Sequence, residues 1–207
     1  MRIVIFMLVL LSSPAFAGSV LVLGDSLSAA YGIPLEQGWV NLLRQRVEQE
    51  RLDVEVVNAS VSGETTSGGL SRLPGLLATH QPTIVMIELG ANDGLRGTPL
   101  DIVRRNLQQM VDHAQQAGAR VVLIGNRLPP NYGPQYTQAF FDLFAEVGGE
   151  KRVALVPFLL DGVAEDWELM QDDGYHPRAE AQEYLLDTVW SGLQPILEQT
   201  TGPKKAP

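Results

Sequence analysis

The chain has 207 residues, 45% hydrophobic and 19% charged, the balance of one globular domain with a sizeable core. Its 24 acidic residues against 15 basic ones leave a net charge of −9, which argues against a nucleic-acid partner. Cysteine is absent, which excludes a disulfide framework, a thiolate nucleophile and any cysteine-based metal site.

At the start of the chain, Met1 and Arg2 precede an apolar run from Ile3 to Leu11, then Ser12, Ser13, Pro14 and the small-x-small triplet Ala15, Phe16, Ala17. This order reads as a secretory leader over residues 1–17, cleaved near Ala17, and predicts a periplasmic or secreted product. The run is shorter than the ~20 residues a spanning helix needs, and no later segment reaches that length. Residues 18–199 are then expected to form the domain and 200–207, with Pro203, Lys204, Lys205 and Pro207, a disordered tail.

Short apolar runs follow at Val20 to Leu23, Val54 to Val57, Ile84 to Leu89, Val121 to Ile124 and Val153 to Val156, and each reads as a buried strand. Helical patterns lie between and after them, at Trp39 to Glu50, Gly69 to Thr79, Pro99 to Ala117, Gln135 to Val147 and Arg178 to Glu198. The third is the clearest: Ile102, Val103, Leu107, Met110, Val111 and Ala114 share one face, leaving Arg104, Arg105, Gln108 and Asp112 for solvent. Thr98 is placed to cap it, Pro99 to occupy its first position and Gly118 to end it in the left-handed region. Alternating strands and helices predict an α/β fold, a three-layer α/β/α sandwich around a five-stranded parallel sheet in the flavodoxin-like order 2-1-3-4-5.

In such a sheet ligands bind at the carboxyl ends of the strands. The first three strands end there in unusual polar segments: Gly24 to Ser28, Asn58 to Thr66, and Gly90 to Gly94. The predicted order makes these segments neighbours, with Ser26 flanked by Gly63 and Asn92. Acyl transfer needs a nucleophile, a base, a group that fixes the base's tautomer, and donors for the charge on the carbonyl oxygen. Ser26 follows a strand, so its hydroxyl and backbone N–H can both face the crevice; Gly63 offers an unobstructed N–H, and Asn92 an amide donor.

There are three histidines. His80 reads as a helix-end residue and His113 as solvent-facing, whereas His176 lies in the loop Gln171 to Pro177, three residues after Asp173. A tight turn then lets Asp173 hold Nδ1–H and leaves Nε2 for Ser26. Each residue taken alone has a plainer reading: Ser26 as a turn cap, Gly63 and Asn92 as turn residues, Asp25 as a brace for its loop. Arg96 and Arg127 read as solvated cations, with contact to a substrate phosphate as the alternative. Trp167, Leu169 and Met170 either line a pocket or pack under a loop.

The segments together resemble the SGNH or GDSL hydrolases. Gly-Asp-Ser-Leu-Ser at 24–28 is similar to that family's nucleophile block, Gly63 to its glycine block, Gly-Ala-Asn-Asp at 90–93 to its asparagine block, and Asp173 with His176 to its closing Asp-x-x-His. All four occur in the family's order, and the similarity is closest to its periplasmic branch of acyl-CoA thioesterases, lysophospholipases and arylesterases. Ala91 stands where relatives often carry glycine. The resemblance implies catalytic Ser26, Asp173 and His176, an oxyanion hole from the Ser26 N–H, the Gly63 N–H and the Asn92 side chain, and no cofactor or metal. The stretches Gly94 to Gly97 and Arg127 to Gly133 resemble the branch's two pocket loops, which nominates Leu95, Leu128, Pro129 and Tyr132 as substrate-binding residues. A monomer acting on acyl esters, thioesters or lysophospholipids is expected. The alternatives are a carbohydrate O-acetylesterase on the same fold and a noncatalytic flavodoxin-like binding module.

Overall fold

The computed structural model describes residues 18–201, so the expected leader and most of the expected tail lie outside it. Five parallel strands, β1 (Gly18–Gly24), β2 (Val54–Asn58), β3 (Ile84–Glu88), β4 (Arg120–Ile124) and β5 (Ala154–Val156), form one sheet in the order β2-β1-β3-β4-β5. The expected order and the observed one agree. Around the sheet run α1 (Trp39–Gln49), α2 (Thr66–His80), a short α3 (Ala91–Leu95), α4 (Leu100–Gln116), α5 (Pro134–Lys151) and α6 (Gln182–Thr201).

The period-2 geometry of a strand divides β1 between two cores. Val20 and Val22 point to the layer of α1 and α6, where Trp39, Leu43, Leu185 and Val189 are buried. Leu21 and Leu23 point to the layer of α2, α4 and α5, where Leu73, Leu107, Met110, Phe140 and Phe144 are buried. Each such side chain contributes about 1.5–3 kcal/mol on burial, so the sheet is clamped from both faces. Its carboxyl edge is left as the irregular one.

Helix ends differ from expectation for local reasons. α2 begins three residues before the predicted Gly69, because the Thr65 side chain caps it by accepting from Gly68 N–H at 3.2 Å. Pro99, whose ψ of 130° lies outside the helical region, is the cap residue of α4 rather than its first residue, and Thr98 does not cap it; the Thr98 N–H donates to the Asp93 carbonyl instead. Gly118 does end α4, at φ +85°. α5 continues past Val147 through Gly148, which packs against Leu155, and stops at Lys151 before left-handed Arg152. The polar face of α4 is not simply solvated: Arg104 pairs with Glu146 and Glu150, and Asp112 with Lys151, joining α4 to α5. His113 also departs from its solvent-facing expectation, since its Nδ1 is buried without a partner among the described residues.

Gly125, just after β4, sets how closely β5 can leave the sheet. A Cβ there would lie 2.2 Å from the Pro157 carbonyl oxygen, a backbone atom that cannot turn aside. Gly125→Ala is expected to destabilise the protein by about 1–3 kcal/mol through overpacking, read as a lower urea midpoint with unchanged slope. An unchanged midpoint contradicts this packing argument.

Candidate active site

The three polar segments meet at the carboxyl edge of the sheet, as the strand order requires. Register places Gly24 opposite Glu88 and Val22 opposite Asn58, so the segments after β1, β2 and β3 leave the sheet side by side. The segment after β2 is tied to the one after β1 by Ala59 N–H to the Val22 carbonyl, Val61 N–H to the Gly24 carbonyl, and Asn58 Nδ2 to the Ser28 carbonyl. Gly63 takes φ +79°, a left-handed conformation that favours glycine. The Arg96 guanidinium donates to the Gly63 carbonyl at 3.2 Å, so Arg96 braces this turn.

His176 arrives from the far end of the chain. Its loop is closed by Gln171 N–H to the His176 carbonyl, Arg178 N–H to the Leu169 carbonyl and Gln171 Nε2 to the carbonyls of Tyr31 and Pro177. The Tyr31 ring lies against the imidazole, with centroids 4.4 Å apart. His176 Nε2 is 2.8 Å from Ser26 Oγ, and His176 Nδ1 is 2.7 Å from Asp173 Oδ2. A carboxylate only accepts, so Nδ1 carries the proton and Nε2 is left to accept from the Ser26 hydroxyl. The other Asp173 oxygen accepts the N–H groups of Tyr175 and His176 at 2.9 and 3.0 Å, the tight turn expected from the three-residue spacing. Partial burial works to raise the Asp173 pKa, but these hydrogen bonds and the nearby imidazole outweigh it and hold the carboxyl below its ordinary value.

Among the described residues, the backbone N–H groups of Ser26 and Gly63 donate to no protein acceptor. Asn92 Nδ2 gives one hydrogen to Asp25 Oδ2 at 3.0 Å, which leaves its second N–H free for another acceptor. All three residues line one cleft of about 630 Å³, together with His176 and Asp173. Ser26 itself is not in the left-handed region, unlike the strained nucleophile of a G-x-S-x-G elbow.

Leu95, Leu128 and Pro129 line the cleft as nominated, and so do Trp167 and Met170. Tyr132 does not; its hydroxyl donates to the Leu95 carbonyl at 3.1 Å, so it supports the wall from behind. Leu169 packs against the core instead. Arg127 is held with its guanidinium 4.3 Å above the Phe141 ring and 5.4 Å from Phe158. Sequence reasoning missed Tyr31, Phe158 and Leu160, which complete the walls. It also missed Asn126, whose only signal was a polar residue two positions after the end of β4.

Residues 22–184 match the sequence profile of the GDSL-like Lipase/Acylhydrolase family. The chain belongs to that family. It is 50% identical over 190 residues to "Esterase TesA" of Pseudomonas aeruginosa, covering 92% of this chain and 94% of that one. It is 40% identical over 193 residues to "Thioesterase 1/protease 1/lysophospholipase L1" of Escherichia coli K12, covering 93% and 91%. Among solved structures it resembles the psychrotrophic esterase EstA from Pseudoalteromonas sp., inhibited there by monoethylphosphonate, with TM-score 0.84, 41% identity, and 87% and 99% of the two chains covered. Membership of an acylhydrolase family with esterase and thioesterase relatives makes this chain an ester hydrolase, and the noncatalytic binding module is set aside.

Proposed function

We propose that the chain cleaves acyl esters and thioesters through an acyl-enzyme on Ser26. The observation that carries this reading is the hydrogen-bonded line from Asp173 through His176 to Ser26, ending beside three uncommitted N–H donors. Ser26 Oγ attacks the substrate carbonyl carbon while His176 Nε2 takes its proton. The oxyanion is held by the Ser26 and Gly63 N–H groups and the Asn92 amide. Collapse breaks the bond to the leaving alcohol or thiol, which His176 protonates. Water, deprotonated by His176, then attacks the acyl carbon and frees Ser26 and the carboxylic acid. No metal or cofactor enters these steps, and the described residues contain no cluster suited to a metal ion.

The walls of the cleft favour an acyl chain over an acetylated sugar, because Leu27, Leu95, Leu128, Phe158 and Leu160 make their surface mainly hydrocarbon. We read the product as exported to the periplasm or beyond, on the leader pattern of residues 1–17; no described helix is long and apolar enough to cross a membrane. Octanoyl esters and thioesters of matched leaving groups are expected to outrun acetylated sugars in kcat/KM. Leu128→Trp, which fills the cleft, is expected to lower the octanoate-to-butyrate ratio by about tenfold or more. Preference for acetyl-sugars, or a ratio untouched by Leu128→Trp, overturns the acyl-pocket assignment.

A further inference from the structure

Glu88 ends β3 with no exposed surface, in a strand whose other residues, Ile84 to Ile87, are apolar. The acyl-transfer steps give it no part. Its carboxyl group nevertheless gathers two other strand ends: Oε2 meets Ser28 Oγ at 2.8 Å and Asp25 N–H at 3.4 Å, and Oε1 meets Asn126 Nδ2 at 2.8 Å. Gly24 lies opposite it in register, and a Cβ there would stand 2.9 Å from Glu88 Oε2 and 2.7 Å from Ser28 Oγ. The acyl-transfer chemistry has no use for the first and last residues of Gly24-Asp25-Ser26-Leu27-Ser28. A carboxyl group at 88 accounts for both, one by the space it takes and the other by the bond it makes.

The same carboxyl group reaches the oxyanion donors through Asp25. Asp25 is 1% exposed; its Oδ1 accepts Leu27 N–H at 3.0 Å and its Oδ2 accepts Asn92 Nδ2 at 3.0 Å. This contact decides which way the Asn92 amide points. Two carboxyl groups buried together do not both ionise cheaply. Burial first, and the Asp25 charge second, push Glu88 well above its ordinary range. Burial also pushes Asp25 up, to about 6, against the lowering effects of the Leu27 N–H, His176, Asn92 and Glu88.

We propose that Glu88 is a positioning residue for the oxyanion site: tying the ends of β1, β3 and β4 beneath Ser26, it holds Asp25 where Asp25 fixes the Asn92 amide. The role rests on the reading of Asn92 as an oxyanion donor. Glu88 does not line the cleft, so it acts through these neighbours and not on substrate. Glu88→Gln keeps the volume but replaces one oxygen, which can accept, by an NH2 group that only donates. That donor faces either Asn126 Nδ2 or the Asp25 N–H, and the tie on that side is lost.

The test is a double-mutant cycle on p-nitrophenyl butyrate. Folded Glu88→Gln is expected to lower kcat by about 10- to 100-fold, the usual size of losing an outer support, with KM within about twofold. Asn92→Ala alone is expected to cost ~10² to 10³ in kcat. In the Asn92→Ala background the Glu88→Gln change is expected to cost less than about threefold, because the donor it positions is gone. Ser28→Ala removes one tie without touching the carboxyl group, and lowers kcat severalfold in the same direction. It decides the matter should Glu88→Gln fail to fold. Wild-type kcat in these folded variants, or losses that multiply with Asn92→Ala, overturns the role while leaving the oxyanion reading intact. A fully active Asn92→Ala protein removes the oxyanion reading and this role together.

Discussion

Ser26→Ala is expected to fold as the parent does and to lose at least ~10⁴-fold in kcat on p-nitrophenyl butyrate, an effect no other single change in this chain is expected to exceed. The loss is large because alanine has no atom to form the acyl bond, so turnover falls to what the oxyanion donors and binding achieve with water. The fold is spared because the Ser26 hydroxyl is only half-buried and its side-chain hydrogen bond is the one to His176. Active-site-normalised kinetics beside a urea melt separate these two statements. A folded variant that keeps more than about a tenth of parental kcat removes Ser26 from the chemistry.

The second large effect belongs to the imidazole. His176→Ala is expected to cost about as much as Ser26→Ala, and the double variant little more than either single one, because nucleophile and base act as a unit. Asp173→Asn is expected to cost less, about 10⁴-fold at most, by presenting an amide to Nδ1 and favouring the wrong tautomer. Asp173 is held as an anion by the Tyr175 and His176 N–H groups as well as by the ring, so it remains in place to orient the imidazole over ordinary pH. Losses in Ser26→Ala and His176→Ala that multiply fully in the double variant contradict a shared proton-transfer step.

Much of this arrangement was legible in the sequence because it is carried by local signals. Five apolar runs separated by helical patterns gave the strands and their order, since a parallel sheet with right-handed crossovers leaves few alternatives. Ser26, Gly63 and Asn92 each follow a strand, and Asp173 with His176 share one turn, so short motifs sufficed to nominate them. What was not legible depends on contacts far apart in the chain. α3 was not expected as a helix, because Gly90 precedes it and Gly94 lies within it; it is anchored from outside, with Asp93 accepting Thr66 N–H and Thr66 Oγ1 at 2.8 and 2.9 Å. Glu88 read as one more residue of a buried strand, because its partners Ser28 and Asn126 come from two other strand ends. Tyr132 was nominated to the pocket by its loop, but its ring direction is set by the Leu95 carbonyl. Tyr31 carried no sequence signal, because its place against His176 exists only once the two ends of the chain have met.

The central claim is that Ser26 is activated by His176, and covalent labelling tests it most directly. An alkyl fluorophosphonate is expected to add one phosphonyl group per chain, on the peptide that contains Ser26, at a rate that falls sharply in His176→Ala and in parallel with activity. Labelling of another residue, or an active enzyme that takes no label, contradicts the claim.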